Sequence, residues 1–263
     1  MGNMCGGPAG QVDKPTGKKE ESKFKFHNGY KDAAELSNYE DFFLPETKSE
    51  CKKCLTKEIW DEYKDQKCDA GVTFKTCVFS GIANQDSGIG LYAGSHHAYT
   101  KFNKLFDQVV LNYHGHHPTS SHISDMSSVG LRNSDFSEED SAMVNSTRIR
   151  VGRNLAAYPL GPGVSKEQRI EIMNLVVKAC ESFEGDLKGK FYPLEGMPKA
   201  DQEQLIADHF LFKEGDKYLA AANLNRNWPS GRGIFHNDAK SFLIWVNEED
   251  QLRIISMQKG AGI

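Results

Sequence analysis

The sequence predicts an α+β protein: a small all-helical N-terminal domain over residues 26–115, a linker over 116–140, and an antiparallel-sheet domain flanked by helices over 141–263. Three observations predict it. Apolar residues recur at helical spacing as far as His114, a polar stretch dense in His, Ser, Thr, Asp and Gly follows, and beyond it strand-like runs surround one strongly capped helical segment.

Residues 1–25 are rich in Gly, Lys, Glu and Pro with almost no bulky apolar side chains, too few to offset the entropy of ordering, and are read as a tail. Ala33, Leu36, Tyr39 and Phe42, then Ile59, Trp60 and Tyr63, then Tyr99, Phe102, Leu105 and Phe106 form the apolar runs of the helical domain. His114, His116 and His117 lead into the linker, where adjacent histidines in polar surroundings are read as solvated.

Residues 145–153 alternate as a strand, with Ser146, Arg148 and Arg150 on one face and Thr147, Ile149 and Val151 on the other. Residues 165–183 form the clearest helix. Ser165 and Gln168 make a capping box, Gly185 follows the end, and Ile172, Leu175, Val176, Ala179 and Phe183 fall on one face for packing against a sheet. Two hairpins are expected: Phe210, Leu211 and Phe212 against 218–222 around Glu214, Gly215 and Asp216, and 241–247 against 252–257 around an acidic turn.

Composition narrows the function. Thirty-two basic and 36 acidic residues leave a net charge of −4, which argues against a nucleic-acid protein working through a broad basic face. The six cysteines lack paired spacing and no secretory apolar segment opens the chain, so a reducing, cytoplasmic setting with free thiols is expected. No metal site is expected: Cys51 and Cys54 form a single CxxC, and a tetrahedral zinc site needs four ligands. No apolar run is long enough to span a bilayer. Gly2 and Cys5 are candidates for dual acylation, although Gly6 stands where a myristoylation signal wants Ser or Thr. Lys14, Lys18 and Lys19 add attraction to anionic lipid. The alternative is a plain disordered tail.

The chemistry is concentrated after the linker. Arg148 and Arg150 sit about 6–7 Å apart on one strand face. They suit a polyphosphate clamp, since guanidinium groups bind phosphate oxygens in bidentate fashion; the alternative is a solvated edge strand. The turn Asn247, Glu248, Glu249, Asp250 places three adjacent carboxylates beside Arg253 and lacks ordinary hairpin-turn residues. It is read as either a cation-holding site or an exposed acidic turn. Glycines with Arg232 and His236 over 228–237 permit close backbone approach. Neither a Walker A loop nor a dinucleotide glycine motif is present, so side-chain cations would have to hold any bound nucleotide.

STRIRVGRN (146–154), WPSGRGIFHND (228–238) and FLIWVNEEDQLRIISMQKG (242–260), in that order, resemble the phosphagen kinases. KFYPLEGM (190–197) and FLFKEGDKYLAAAN (210–223) resemble the same family, and QDSGIGLYA (85–93) resembles its guanidino-specificity loop. The resemblance implies reversible phosphoryl transfer between MgATP and a guanidino compound, with Mg held mainly by the nucleotide phosphates. Carried onto matching positions, Ser146, Arg148, Arg150, His236 and Arg253 would contact the nucleotide. Glu249 and Arg253 would be catalytic, with Glu249 orienting the guanidinium, while Ser87, Gly88, Ile89, Gly90 and Tyr92 would close on the substrate's amino-acid end. Tyr113 points by the same resemblance to arginine over creatine, with taurocyamine-type substrates close behind. Some acylated relatives are held in cilia or flagella, which makes a membrane-anchored place there an expectation for Gly2 and Cys5. The chain is expected to be C-terminally truncated, leaving the sheet domain incomplete. It is therefore read either as an arginine kinase or a piece of one, or as a non-catalytic relative whose open sheet is covered by a protein partner.

Overall fold

The structure is a computed structural model that describes residues 24–129 and 136–260; Gly2 and Cys5 lie outside the described residues. The first part opens with three 3-10 turns, His27–Gly29, Ala33–Glu35 and Tyr39–Asp41. Its apolar spacing of three matches that tighter period, so Ala33, Leu36 and Phe42 are buried without an α-helix between them. Five α-helices follow: α1 (Glu50–Cys54), α2 (Lys57–Tyr63), α3 (Phe74–Ala83), α4 (His96–Lys101) and α5 (Asn103–His114).

Side chains at the helix starts explain where several of them begin. Ser49, Thr56 and Thr73 each accept a hydrogen bond from the backbone N–H three residues on. At the other end of the series, Gly115 stops α5 in a left-handed conformation, φ 66°. Helix α3 is buried nearly all round and runs through the centre of an aromatic cluster. Phe42 meets Trp60 edge-on at 4.6 Å, and Phe74 packs against Phe102 at 5.1 Å and Tyr63 at 5.3 Å. Cys51, Cys54, Cys68, Cys77 and Cys180 are free and buried. Burial pushes the Cys51 and Cys54 thiols up, Cys77 to about 12 and Cys180 to about 11.

After a short helix α6 (Glu138–Met143), the second part builds a five-stranded antiparallel sheet. Its strands are β1 (Ser146–Arg153), β2 (Gly189–Pro193), β3 (Gly233–Asn237), β4 (Phe242–Val246) and β5 (Leu252–Lys259), in the order β1-β5-β4-β3-β2. Helix α7 (Lys166–Cys180) carries the Ser165–Gln168 capping box and covers one face, with Val176 and Cys180 against Phe235, Ile244 and Val246. The other face, with Ile234, Leu243, Trp245 and Ile255, packs against Leu194, Leu211 and Phe212, beside helix α8 (Lys199–Ala207).

Two sequence expectations are corrected. The buried stripe of α7 runs through Arg169, Ile172, Val176 and Cys180, so Leu175 and Ala179 face outward and Met173 takes part in the packing instead. The first expected hairpin is absent. Helix α9 (Lys217–Ala221) begins where the Asp216 carboxylate accepts from the N–H groups of Tyr218 and Leu219, and this cap turns a strand-like sequence into a helix. Phe210, Leu211 and Phe212 pack on the sheet without joining it. The second hairpin forms as β4 and β5.

Phe74 is fully buried at the centre of the first cluster. Phe74→Ala should destabilise the protein by about 3–5 kcal/mol, read as a lowered midpoint in urea unfolding.

Candidate active site

The loop of residues 86–93 leaves α3 and turns back onto it. Gly88 and Ile89 offer their carbonyls to the N–H groups of Glu50 and Cys51, both at 2.9 Å, and the Tyr92 N–H donates to the Cys77 carbonyl at 2.9 Å. Gly90, at φ 73°, lies so close to Gly81 of α3 that a Cβ on either would strike the other's backbone. The loop is therefore fixed to the aromatic core and does not hang free.

Contacts from the second part close one end of this loop. Lys217 pairs with Asp86 at 2.7 Å, the Tyr218 hydroxyl donates to the same carboxylate at 2.9 Å, and the Ser80 hydroxyl donates to the Tyr218 carbonyl at 2.9 Å. Between the two parts lies a cleft of about 640 Å³. Ser87, Gly88, Ile89, Gly90 and Tyr92 line it on one side and Glu248, Glu249 and Asp250 on the other.

The acidic turn is organised by Arg253. Its guanidinium meets Glu248 at 3.1 Å, Glu249 at 3.0 Å and Asp250 at 3.3 Å. Burial opposes the Arg253 charge, but the three carboxylates outweigh it and raise its pKa. Burial pushes Glu248 up, with Arg253 pulling the other way. Tyr92 is also pushed up, by burial and then by the Glu249 carboxylate, so its phenol stays protonated. Across the strand pair from Arg253 stands Gly152, where a Cβ would collide with the Asp250 carboxylate.

Strand register places the remaining expected residues. Arg150 faces Ile255, which faces Leu243, which faces His236, which faces Lys190, so these five share a row across the sheet. Arg148, paired with Met257, and Arg253, paired with Gly152, lie on the same face. Ser146 shares the face at the β1 end. Arg148 and Arg150 are exposed and form no ion pair among the described residues. His236 stacks on Tyr192 at 4.8 Å, its Nδ1 is 2.8 Å from the Asn237 carbonyl, and it borders a second cavity of about 520 Å³. The arginines of β1 and His236 do not line the first cleft; Arg253 connects the two regions through the acidic turn.

Tyr113, by contrast, is exposed on α5 against His114 and does not line the cleft. No group of three or more His, Cys, Asp or Glu that could hold a metal ion occurs among the described residues. Asp86 and Asp216 line the cleft and were not expected there; the capping role of Asp216, ahead of a helix-forming run, was the one available sequence signal.

Comparison with known proteins identifies the family. Residues 45–111 match the ATP:guanido phosphotransferase N-terminal domain, and residues 171–263 match the C-terminal catalytic domain of the same family. Arginine kinase 1 of Drosophila melanogaster is 48% identical over 246 residues, covering 88% of this chain and 67% of that protein. The arginine kinase of Polybetes pythagoricus is 49% identical over 218 residues, covering 82% and 60%, and that of Anthopleura japonica is 48% identical over 217 residues, covering 82% and 30%. Among solved structures, a lombricine kinase superposes with a TM-score of 0.76 at 34% identity, covering 88% of this chain and 63% of its own. The duplicated taurocyamine kinase of Schistosoma mansoni, with bound transition state analog components, gives 0.72 at 38%, covering 81% and 30%. The chain thus spans between 30% and 67% of the lengths of these proteins. On both domain matches and these identities, it belongs to the ATP:guanido phosphotransferase family, the phosphagen kinases.

Proposed function

We propose that this chain carries the arginine-binding site and part of the nucleotide site of an arginine kinase, which moves the terminal phosphoryl group of MgATP to the guanidino group of arginine and back. The observation that carries the reading is the cleft itself, where Glu249 faces the loop of Ser87, Gly88, Ile89 and Gly90. A guanidinium held by that carboxylate points its amino-acid end at the loop. The relatives named arginine kinases favour arginine over the taurocyamine and lombricine of the superposed structures.

The nucleotide belongs along this sheet, with its phosphates at the exposed β1 arginines and its base beside His236, passing over the side chains that bury Ile255 and Leu243 between them. Arg150 and His236 are three strand spacings apart, roughly 14 Å at about 4.8 Å each. The β1 arginines and Arg253 neutralise phosphate charge at one end, and the flat His236–Tyr192 stack offers a surface for the base at the other. Glu248, Glu249 and Asp250 are all engaged with Arg253, which fits a magnesium ion held by the nucleotide phosphates. When bound, that ion offsets charge on the transferring phosphoryl group. Catalysis by this chain's residues is then positioning: Glu249 orients the attacking nitrogen in line, and the arginines stabilise charge as the phosphoryl group passes.

A second reading, a non-catalytic binding protein, draws on β1, an edge strand whose Ile149 and Val151 are exposed and whose outer side has no strand partner among the described residues. Turnover separates the two. Phosphoarginine should form from MgATP and arginine, and Glu249→Gln should lower kcat by about 10²-fold with the KM for MgATP within about twofold. Unchanged turnover would refute the role of Glu249. Arg150→Ala should raise the KM for MgATP by about tenfold and leave that for arginine nearly unchanged; equal changes in both would remove Arg150 from the phosphate site. Acylation at Gly2 and Cys5, with membrane attachment in a cilium or flagellum, belongs to the same proposal. It predicts that Gly2→Ala moves the protein from the membrane to the soluble fraction of lysed cells.

A further inference from the structure

The side chain of Glu249 is 42% exposed and, among the described residues, its one side-chain hydrogen bond is the one it accepts from Arg253. Its direction is therefore set by that ion pair and by the backbone beneath it. That backbone starts at Asn247, which is buried, holds φ 56° and closes the turn by donating its N–H to the Gln251 carbonyl at 3.0 Å. Asn tolerates this left-handed conformation better than most residues.

The Asn247 side chain does more than permit the turn. Its Nδ2 donates to the Arg169 carbonyl at 3.0 Å and to the Gly231 carbonyl at 2.7 Å, while the backbone carbonyl of Asn247 accepts from Arg232 Nε at 3.0 Å. Arg232 is 1% exposed, lies over the Trp228 ring at 4.8 Å and donates its other hydrogen bonds to the carbonyls of Leu224 at 2.7 Å, Arg226 at 3.2 Å and Ser230 at 3.3 Å. Arg169, also buried, donates to the Arg226 carbonyl at 3.2 Å, and Arg226 donates to those of Pro162 at 2.7 Å and Val164 at 3.0 Å. Burial, then the charge of Arg169, pulls Arg232 down to about 9, with the Glu214 carboxylate pulling the other way.

Bringing the like charges of Arg169 and Arg232 together under burial is unfavourable, and a hairpin turn alone does not need it. These contacts do share one result, the immobilisation of the residue two positions before Glu249. We propose that Asn247, clamped by Arg232 and by the Arg169 and Gly231 carbonyls, is a positioning residue that aims the Glu249 carboxylate at the guanidinium site. The inference rests on the assignment of Glu249 to the guanidinium and adds to it the groups that set its direction. Glu248, Glu249 and Asp250 repel one another around one arginine, so a loosened turn would let them spread apart.

The test is Asn247→Gly in the 263-residue chain, since glycine keeps the left-handed backbone and removes only the amide contacts. The expected result is a folded protein whose kcat falls about tenfold and whose KM for arginine rises several-fold, with the KM for MgATP within about twofold. In its crystal structure the Glu249 carboxylate should lie more than about 1 Å further from Arg253 than the present 3.0 Å. A folded variant with unchanged arginine kinetics, or one with Glu249 in its present place, overturns the proposal. If the unmodified chain shows no turnover, the functional reading fails by itself, and the position of Glu249 in the variant crystal still decides this one. Arg232→Lys, which keeps the charge and loses the forked geometry, stands in should Asn247→Gly not fold, with the same displacement of Glu249 expected and an undisplaced Glu249 overturning the proposal.

Discussion

Arg253 holds Glu248, Glu249 and Asp250 within 3.0–3.3 Å, and much of the second part of the molecule is arranged to make that crowding tolerable. One guanidinium cannot neutralise three carboxylates. The surplus negative charge faces a cleft, where a cation can approach, and the backbone below is pinned by buried amide and guanidinium groups. Gly152 leaves room for Asp250 where any side chain would displace it. On the far wall the loop of 86–93 meets this charge from a rigid base, because Gly81 and Gly90 bring it into contact with the most buried helix of the molecule.

Antiparallel register turns this local arrangement into a longer one. Residues far apart in the chain, such as Arg150 and His236, fall in one row because β3, β4 and β5 between them are held by side chains packed on both faces and β1 pairs with β5 along its whole length. A slip of one residue in β5 would move Arg253 to the α7 side and bring Ile254 to the ligand side, so the packing under α7 and the chemistry above it enforce the same register. Core and site are thus two sides of one constraint.

Much of this was legible in the sequence, and the limits have physical causes. The α7 cap, strand β1 and the β4–β5 hairpin were readable because local signals and tertiary packing agree there. The stretch from Phe210 to Ala222 misled because aromatic and small apolar residues suit a strand, whereas the Asp216 cap and packing on the sheet decide otherwise. The outward turn of Leu175 could not be read, since shifting a stripe by one position changes the apolar pattern very little. For the site, Glu249, Arg253 and the loop of 86–93 were recognisable as motifs. The clamp on Asn247 was not, because Arg169 and Arg232 look like surface cations until the fold buries them against backbone carbonyls.

The buried cysteines have a practical meaning. A thiol reacts as thiolate, and burial both shields Cys51, Cys54, Cys68, Cys77 and Cys180 and raises four of them above the ordinary thiol value. Alkylating reagents and mild oxidants will therefore meet these sulfurs only as the chain opens. Four of the five lie in the aromatic cluster of the first part and Cys180 lies under the sheet, so the order in which they become labelled records which half of the molecule opens first.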